Sequence, residues 1–213
     1  MTGKIKLNAT SGGGSVSFQA PSSTGDDRVI TLPTTADGTV LTTTNPKAGN
    51  IIQVVSTTKT DTTSTASSTF SKISGFEATI TPSSTSSKIL IKADLCIGAS
   101  SNGADSPLKL FRSVGGSDTD IGIGDAAGNR TRCFWGVEDF FSVSSGAAGY
   151  LYVMAPASTN FLDSPNTTSA VTYGVNWRIV SGNTIYLNRT GQDNDASNYP
   201  RGSSTITLME VAA

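Results

Sequence analysis

The sequence predicts an all-β fold, and three observations carry that prediction. Every apolar run is short and fenced by Ser, Thr, Gly, Asn or Pro, from Val16-Ser17-Phe18 to Ile206-Thr207-Leu208. Several runs alternate apolar and polar residues with the two-residue period of a strand, and none has the spacing of an amphipathic helix. Charged residues make up only 15% of the 213 positions against 36% hydrophobic, so hydroxyls and amides must cover much of the surface. That length suits one β-domain with a real core and a smaller appendage.

In chain order, the first pieces are Ile5-Lys6-Leu7, 15–19, 29–32 and 39–42, separated by Gly12-Gly13-Gly14, Pro21, Gly25, Pro33 and Asp37-Gly38. Each offers too few apolar side chains for a private core. Residues 1–48 therefore read as an extended arm that pairs with copies of itself or a larger structure. Ile5, Leu7, Val16, Phe18, Ile30, Leu32, Val40 and Leu41 are the side chains it has to bury. The break Asn45-Pro46-Lys47-Ala48-Gly49-Asn50 ends the arm, and 49–213 read as a jelly-roll or β-sandwich head.

Within the head, strands are expected near 51–56, 75–81, 88–97, 108–113, 120–123, 150–154, 171–180, 184–188 and 205–211. Three of these carry most weight. In 88–97, alternation puts Ile89, Ile91, Ala93, Leu95 and Ile97 on one face, with Lys92, Asp94 and Cys96 on the other. In 171–179, Val171, Tyr173, Val175, Trp177 and Ile179 share a face and should be core. Ser181-Gly182-Asn183 then reads as a tight turn into Thr184-Ile185-Tyr186-Leu187-Asn188, making the pair an antiparallel hairpin. The last strand sets Ile206 and Leu208 against Thr207 and Met209, and it is expected to tie the final residues into a sheet.

The chemistry-bearing residues narrow the function classes. There is no histidine, which excludes a serine nucleophile activated by imidazole. A net charge of -1 provides no field for a phosphate backbone, so nucleic acid is not expected as a partner. The opening lacks a signal peptide's apolar core, and no run approaches the ~20 apolar residues of a membrane span. Synthesis in the cytoplasm without membrane insertion is the expectation.

Cys96 and Cys133 fit no zinc or redox spacing; Cys96 reads as a small filler, with a disulfide as the alternative. Asp118, Asp120, Asp125, Glu138 and Asp139 form an acidic, turn-rich region where a glycosidase carboxylate pair would have to sit. Solvated turn carboxylates explain the same residues, and no enzymatic activity is expected. Asp118-Thr119-Asp120 and Asp193-Asn194-Asp195 begin like calcium loops without completing one, so neither a metal nor a cofactor is expected. Gly12-Gly13-Gly14 and Gly122-Ile123-Gly124 read as turns.

Phe134-Trp135, Phe140-Phe141 and Tyr199-Pro200-Arg201 stand out among the aromatics outside clean strands. Exposed, they would bind a sugar or a protein; buried, they would be core or subunit interface. Trp135, Asp193, Asn194, Tyr199 and Arg201 are taken as the candidate receptor-facing residues.

The stretch Ile30-Thr31-Leu32-Pro33-Thr34-Thr35-Ala36-Asp37-Gly38-Thr39-Val40-Leu41-Thr42-Thr43 resembles a linker that recurs in fibre proteins of tailed bacteriophages, where it precedes a trimeric head. The segments 80–91, 181–187 and 204–210 are similar to β-sandwich heads of fibre and virion proteins from marine phages. The resemblance implies a homotrimeric, virion-exposed fibre or spike, with an attachment arm and a jelly-roll head similar in outline to tumour-necrosis-factor-like trimers. It implies other virion proteins of the tail or capsid as partners, and a role in host attachment or particle decoration. A carbohydrate-binding, lectin-like module that reads a host glycan or protein is the alternative. The chain lacks a coiled coil or repetitive shaft, so the resemblance does not choose between tail fibre and capsid fibre.

Overall fold

The computed structural model describes residues 4–8, 11, 13, 15–19, 46–101, 104–136, 149–180 and 182–213. The chain divides into two compact units, Met1–Val40 and Leu41–Ala213.

In the first unit, β1 (Lys4–Asn8) and β2 (Ser15–Gln19) form a two-stranded antiparallel sheet. The register sets Ile5 opposite Phe18 and Leu7 opposite Val16. Leu7 is 57% exposed. Ile30, Leu32, Val40 and Leu41 lie outside the described residues.

Among its described residues the second unit is all-β, with two antiparallel sheets and one short 3-10 turn. Its strands are β3 (Ile51–Lys59), β4 (Thr63–Thr65), β5 (Ser71–Ile80), β6 (Lys88–Ala99), β7 (Leu108–Val114) and β8 (Ser117–Ile121). After the 3-10 turn Gly149–Tyr152 come β9 (Ala155–Asp163), β10 (Val171–Trp177), β11 (Ile185–Leu187) and β12 (Ser204–Val211). One sheet runs β5-β10-β7-β8. The other runs β3-β12-β6-β11-β4, with β9 also paired to β6.

Alternation explains the core between them. Ile89, Ile91, Ala93, Leu95 and Ile97 of β6 are buried, as are Val171, Tyr173, Val175 and Trp177 of β10 with Ile179 just beyond it. Ile185, Leu187, Ile206 and Leu208 complete the six-stranded side. A fully buried aliphatic or aromatic side chain contributes about 1.5–3 kcal/mol, so these faces hold the sandwich together. Between β7 and β8, Gly115 and Gly116 both take positive φ (58 and 84), which lets a two-residue turn match the strand twist.

Three expectations are corrected. Residues 150–154 are not a strand; Gly149–Tyr152 is a 3-10 turn, and the strand begins at Ala155. β9 itself, and the short β4, are absent from the sequence-based reading. Residues 171–188 do not form a hairpin: β10 pairs with β5 and β7, whereas β11 pairs with β6 and β4 in the opposite sheet. The chain crosses between sheets because the Ile179 and Val180 amides donate to Ser67 and Asp105 carbonyls, while Thr184 is held at the end of β6 by Ser100.

Three buried polar clusters lock this arrangement. Asp163 at the end of β9 accepts from Arg112 Nη1 at 3.0 Å and from the Tyr173 hydroxyl at 2.8 Å, tying the six-stranded sheet to β7 and β10. Asn188, fully buried with φ of 62, donates Nδ2 to the Lys59 and Asp61 carbonyls and accepts from Ser204 Oγ at 2.6 Å. Glu210, 1% exposed, accepts from both the amide and the hydroxyl of Ser83 at 2.7 Å.

Candidate functional site

The loop from Asn188 to β12 is built as a shaped surface. Asn188 turns the chain out of β11, with its amide bonded to the Cys96 carbonyl and its own carbonyl accepting from Gly202. The loop then lies over the end of β6 at a separation only glycine permits. A Cβ on Gly98 would collide with the Arg189 carbonyl oxygen, and one on Gly191 with the Ala99 carbonyl oxygen. Rigid backbone stands on both sides of these contacts, so neither clash can be relieved by a side-chain rotation. Gly98→Ala is therefore expected to lift the loop and cost about 1–3 kcal/mol, as overpacking does. Trypsin cleavage after Arg189 and Arg201 should accelerate about tenfold or more once the loop opens. Unchanged cleavage would show that the loop does not depend on this approach.

On that base the side chains converge. Asp193 faces two guanidiniums, Arg201 Nη2 at 2.5 Å and Arg189 Nη1 at 3.8 Å. Arg189 also lies over the Tyr186 ring, 3.6 Å from its centroid. Its side chain is 18% exposed, against 53% for Arg201 and 41% for Asp193. The Tyr199 hydroxyl donates to Gln192 Oε1 at 2.8 Å and accepts from Asn194 Nδ2 at 3.3 Å. The Tyr199 ring packs on Tyr152, with centroids 5.2 Å apart and planes tilted by 34°. The neighbouring Tyr199 hydroxyl raises the Tyr152 phenol above its usual value. The Gln192 amide reaches the Leu151 carbonyl at 3.2 Å, which fixes the loop to the 3-10 turn.

The result is an open surface of two tilted phenol rings beside amide, carboxylate and guanidinium groups. Rings of this kind pack against the apolar faces of sugars or peptides, and the polar groups fix orientation.

Of the sequence-predicted residues, Asp193, Asn194, Tyr199 and Arg201 are brought together. Trp135 is held in a separate bridge, to Leu108 at the start of β7. Its carbonyl accepts from the Leu108 amide at 2.7 Å, and its half-buried ring packs against the core beside Phe134. Tyr152, Tyr186, Arg189 and Gln192 were missed, because strand-like spacing in 150–154 and 184–188 gives no sign that these side chains meet the loop.

The acidic region is dispersed into ion pairs. Asp118 lies 3.1 Å from Lys72 Nζ and Asp120 lies 2.8 Å from Lys109 Nζ. Hydrogen bonds from Ser113 and then Lys72 hold Asp118 below the usual carboxylate range. Asp125 is exposed, and Glu138, Asp139, Phe140 and Phe141 lie outside the described residues. Cys96 and Cys133 are free thiols, and burial pushes the Cys133 thiol up. Among the described residues no group of three or more His, Cys, Asp or Glu side chains could share a metal ion, and no helix is long and apolar enough to cross a membrane.

No family model matches the chain, and no curated protein matches it. Among solved structures, the VP2 subviral particle of infectious bursal disease virus is similar, at 14% identity and a TM-score of 0.37. The match covers 93% of this chain, which spans only 47% of that one.

Proposed function

We propose that this protein is a structural component of a virion, a homotrimeric phage fibre or spike. Residues 1–48 serve as the arm that anchors to tail or capsid proteins, and 49–213 as a jelly-roll head on the particle surface. Its role is host attachment or decoration of the particle, without catalysis or a cofactor. The chain is made in the host cytoplasm and resides in the virion.

The observation that carries this reading is the front unit. Among its described residues there is one two-stranded hairpin, paired only with itself and exposing Leu7 by 57%. An isolated hairpin is marginal in water, so this segment draws its stability from sister copies or from the particle. Residues 30–40 of the 30–43 phage-linker resemblance lie in the same unit.

Purified full-length protein is expected to sediment at three times the chain mass of 21.9 kDa. Antibody-labelled particles are expected to show it on the tail or capsid. A monomer with a protease-resistant front unit would overturn the reading.

The Tyr152–Tyr199 pair favours a second reading of the same head, a lectin-like module that recognises a host glycan. Saturable binding of oligosaccharides at millimolar concentration, lost in Tyr152→Ala, supports it. A glycan array with no saturable signal removes it and leaves the architectural role.

A further inference from the structure

The outer face of the six-stranded sheet carries an apolar row that nothing within the described chain covers. The register pairs Val54 with Met209, Met209 with Leu90, and Leu90 with Leu162, so β3, β12, β6 and β9 each place one side chain in line. Val54 is 58% exposed and Leu162 46%, while Leu90 and Met209 are half-buried. Beside this row, Ile51, 53% exposed, pairs with the half-buried Val211. Scattered exposed apolar residues are ordinary, but a continuous band across four strands marks an interaction surface.

The neighbouring rows identify the occupant. Next along the face stand Ser56, Thr207, Lys92 and Asn160, then Thr58, Thr205, Asp94 and Ser158. The two charges in this hydroxyl and amide field, Lys92 and Asp94, already pair with each other at 2.6 Å. Beyond the band on the other side stands Lys88, paired in register with Val211. Such a face has too little net charge to recruit nucleic acid or an anionic membrane. It meets its own copy with little like-charge conflict, and Lys92 and Asp94 can exchange partners across the contact.

The extent is right as well. Four strands about 4.8 Å apart and roughly eight residues long give a face of about 500 Å², the larger part of the ~800 Å² each partner buries in a standard interface. We infer that this face docks a second copy of the chain through the Val54–Met209–Leu90–Leu162 row. The inference rests on the homo-oligomer reading above, to which it adds the interface.

The test places a photo-cross-linking residue, p-benzoylphenylalanine, at Leu162 of the full-length chain. A cross-link of dimer mass that maps to 51–58, 88–94 or 205–211 of another copy is the expected result. A cross-link within one chain, or none, overturns the inference. In parallel, the double variant Val54→Lys, Leu162→Lys should weaken self-association by about tenfold or more in sedimentation, since two unpaired charges would enter a dry contact. Unchanged assembly of that variant rejects this face and leaves the homo-oligomer standing. A monomeric wild-type protein rejects both.

Discussion

Asp163→Ala is expected to destabilise the head by about 3 kcal/mol, toward the lower end of the range for breaking a buried ion pair because Arg112 keeps some access to water. Asp163 is 6% exposed, and the Arg112 side chain is 23% exposed. The carboxylate sits on β9 of one sheet, while Arg112 and Tyr173 are register partners on β7 and β10 of the other. Truncation leaves a guanidinium and a fully buried phenol without their acceptor, across the seam between sheets. A urea denaturation series at fixed protomer concentration reads the loss.

Replacing all three residues together separates geometry from charge. Arg112→Met, Asp163→Leu and Tyr173→Phe in one chain should cost far less than the single truncation, because no unpaired group remains. If the triple variant is as unstable as Asp163→Ala, the cluster contributes packing and not polar pairing.

The same cluster sets an alkaline limit. Burial first, and then the adjacent Asp163 carboxylate, hold the Tyr173 phenol far above its ordinary 10.0. The folded chain keeps that proton while the unfolded chain releases it above pH 10. Stability from this group is therefore complete below that pH and falls above it, by at most about 1.4 kcal/mol per pH unit. Tyr173→Phe should remove that slope between pH 10 and 11, at the cost of one hydrogen bond.

Asn188→Ala is expected to cost about 3–4 kcal/mol, and for a different reason. Its amide answers two backbone carbonyls and its oxygen accepts the Ser204 hydroxyl, all in the buried end of the six-stranded sheet. Each buried group left unsatisfied costs about 1–3 kcal/mol, with the lower figure applying to the Asp61 carbonyl, which water can reach. Alanine at φ of 62 adds backbone strain of about 1 kcal/mol. Asn188→Gly should recover roughly that last part and no more. The midpoint of chemical denaturation for the three chains gives the partition, and equal midpoints for the Ala and Gly variants would remove the strain contribution.

Alternation made the buried faces legible before any coordinates. In β6, β10 and β12 the period-two pattern assigns each inward side chain, and the burial of Ile89 to Ile97, Val171 to Trp177, and Ile206 with Leu208 follows it. β9 was not legible, because Pro156 and the run Ser158-Thr159-Asn160 look like a loop. A strand hydrogen-bonded on one side only tolerates that proline, and Ala155 and Ala157 are small enough to bury beside β6. Half of the candidate site was visible as a polar and aromatic loop, Asp193 to Arg201. Tyr152 and Arg189 joined it only through the fold.

The sequence by itself determined the all-β class, the inward faces of the long strands and the exclusion of imidazole chemistry. These depend on residue type and on a periodicity that the backbone imposes locally. Tertiary structure alone decided that β11 leaves β10 for the opposite sheet, that Asp163 clamps the two sheets, and that the Val54 to Leu162 row lines up. Each of those joins residues far apart in the chain, and alternation fixes which way a side chain faces without fixing which strand lies beside it.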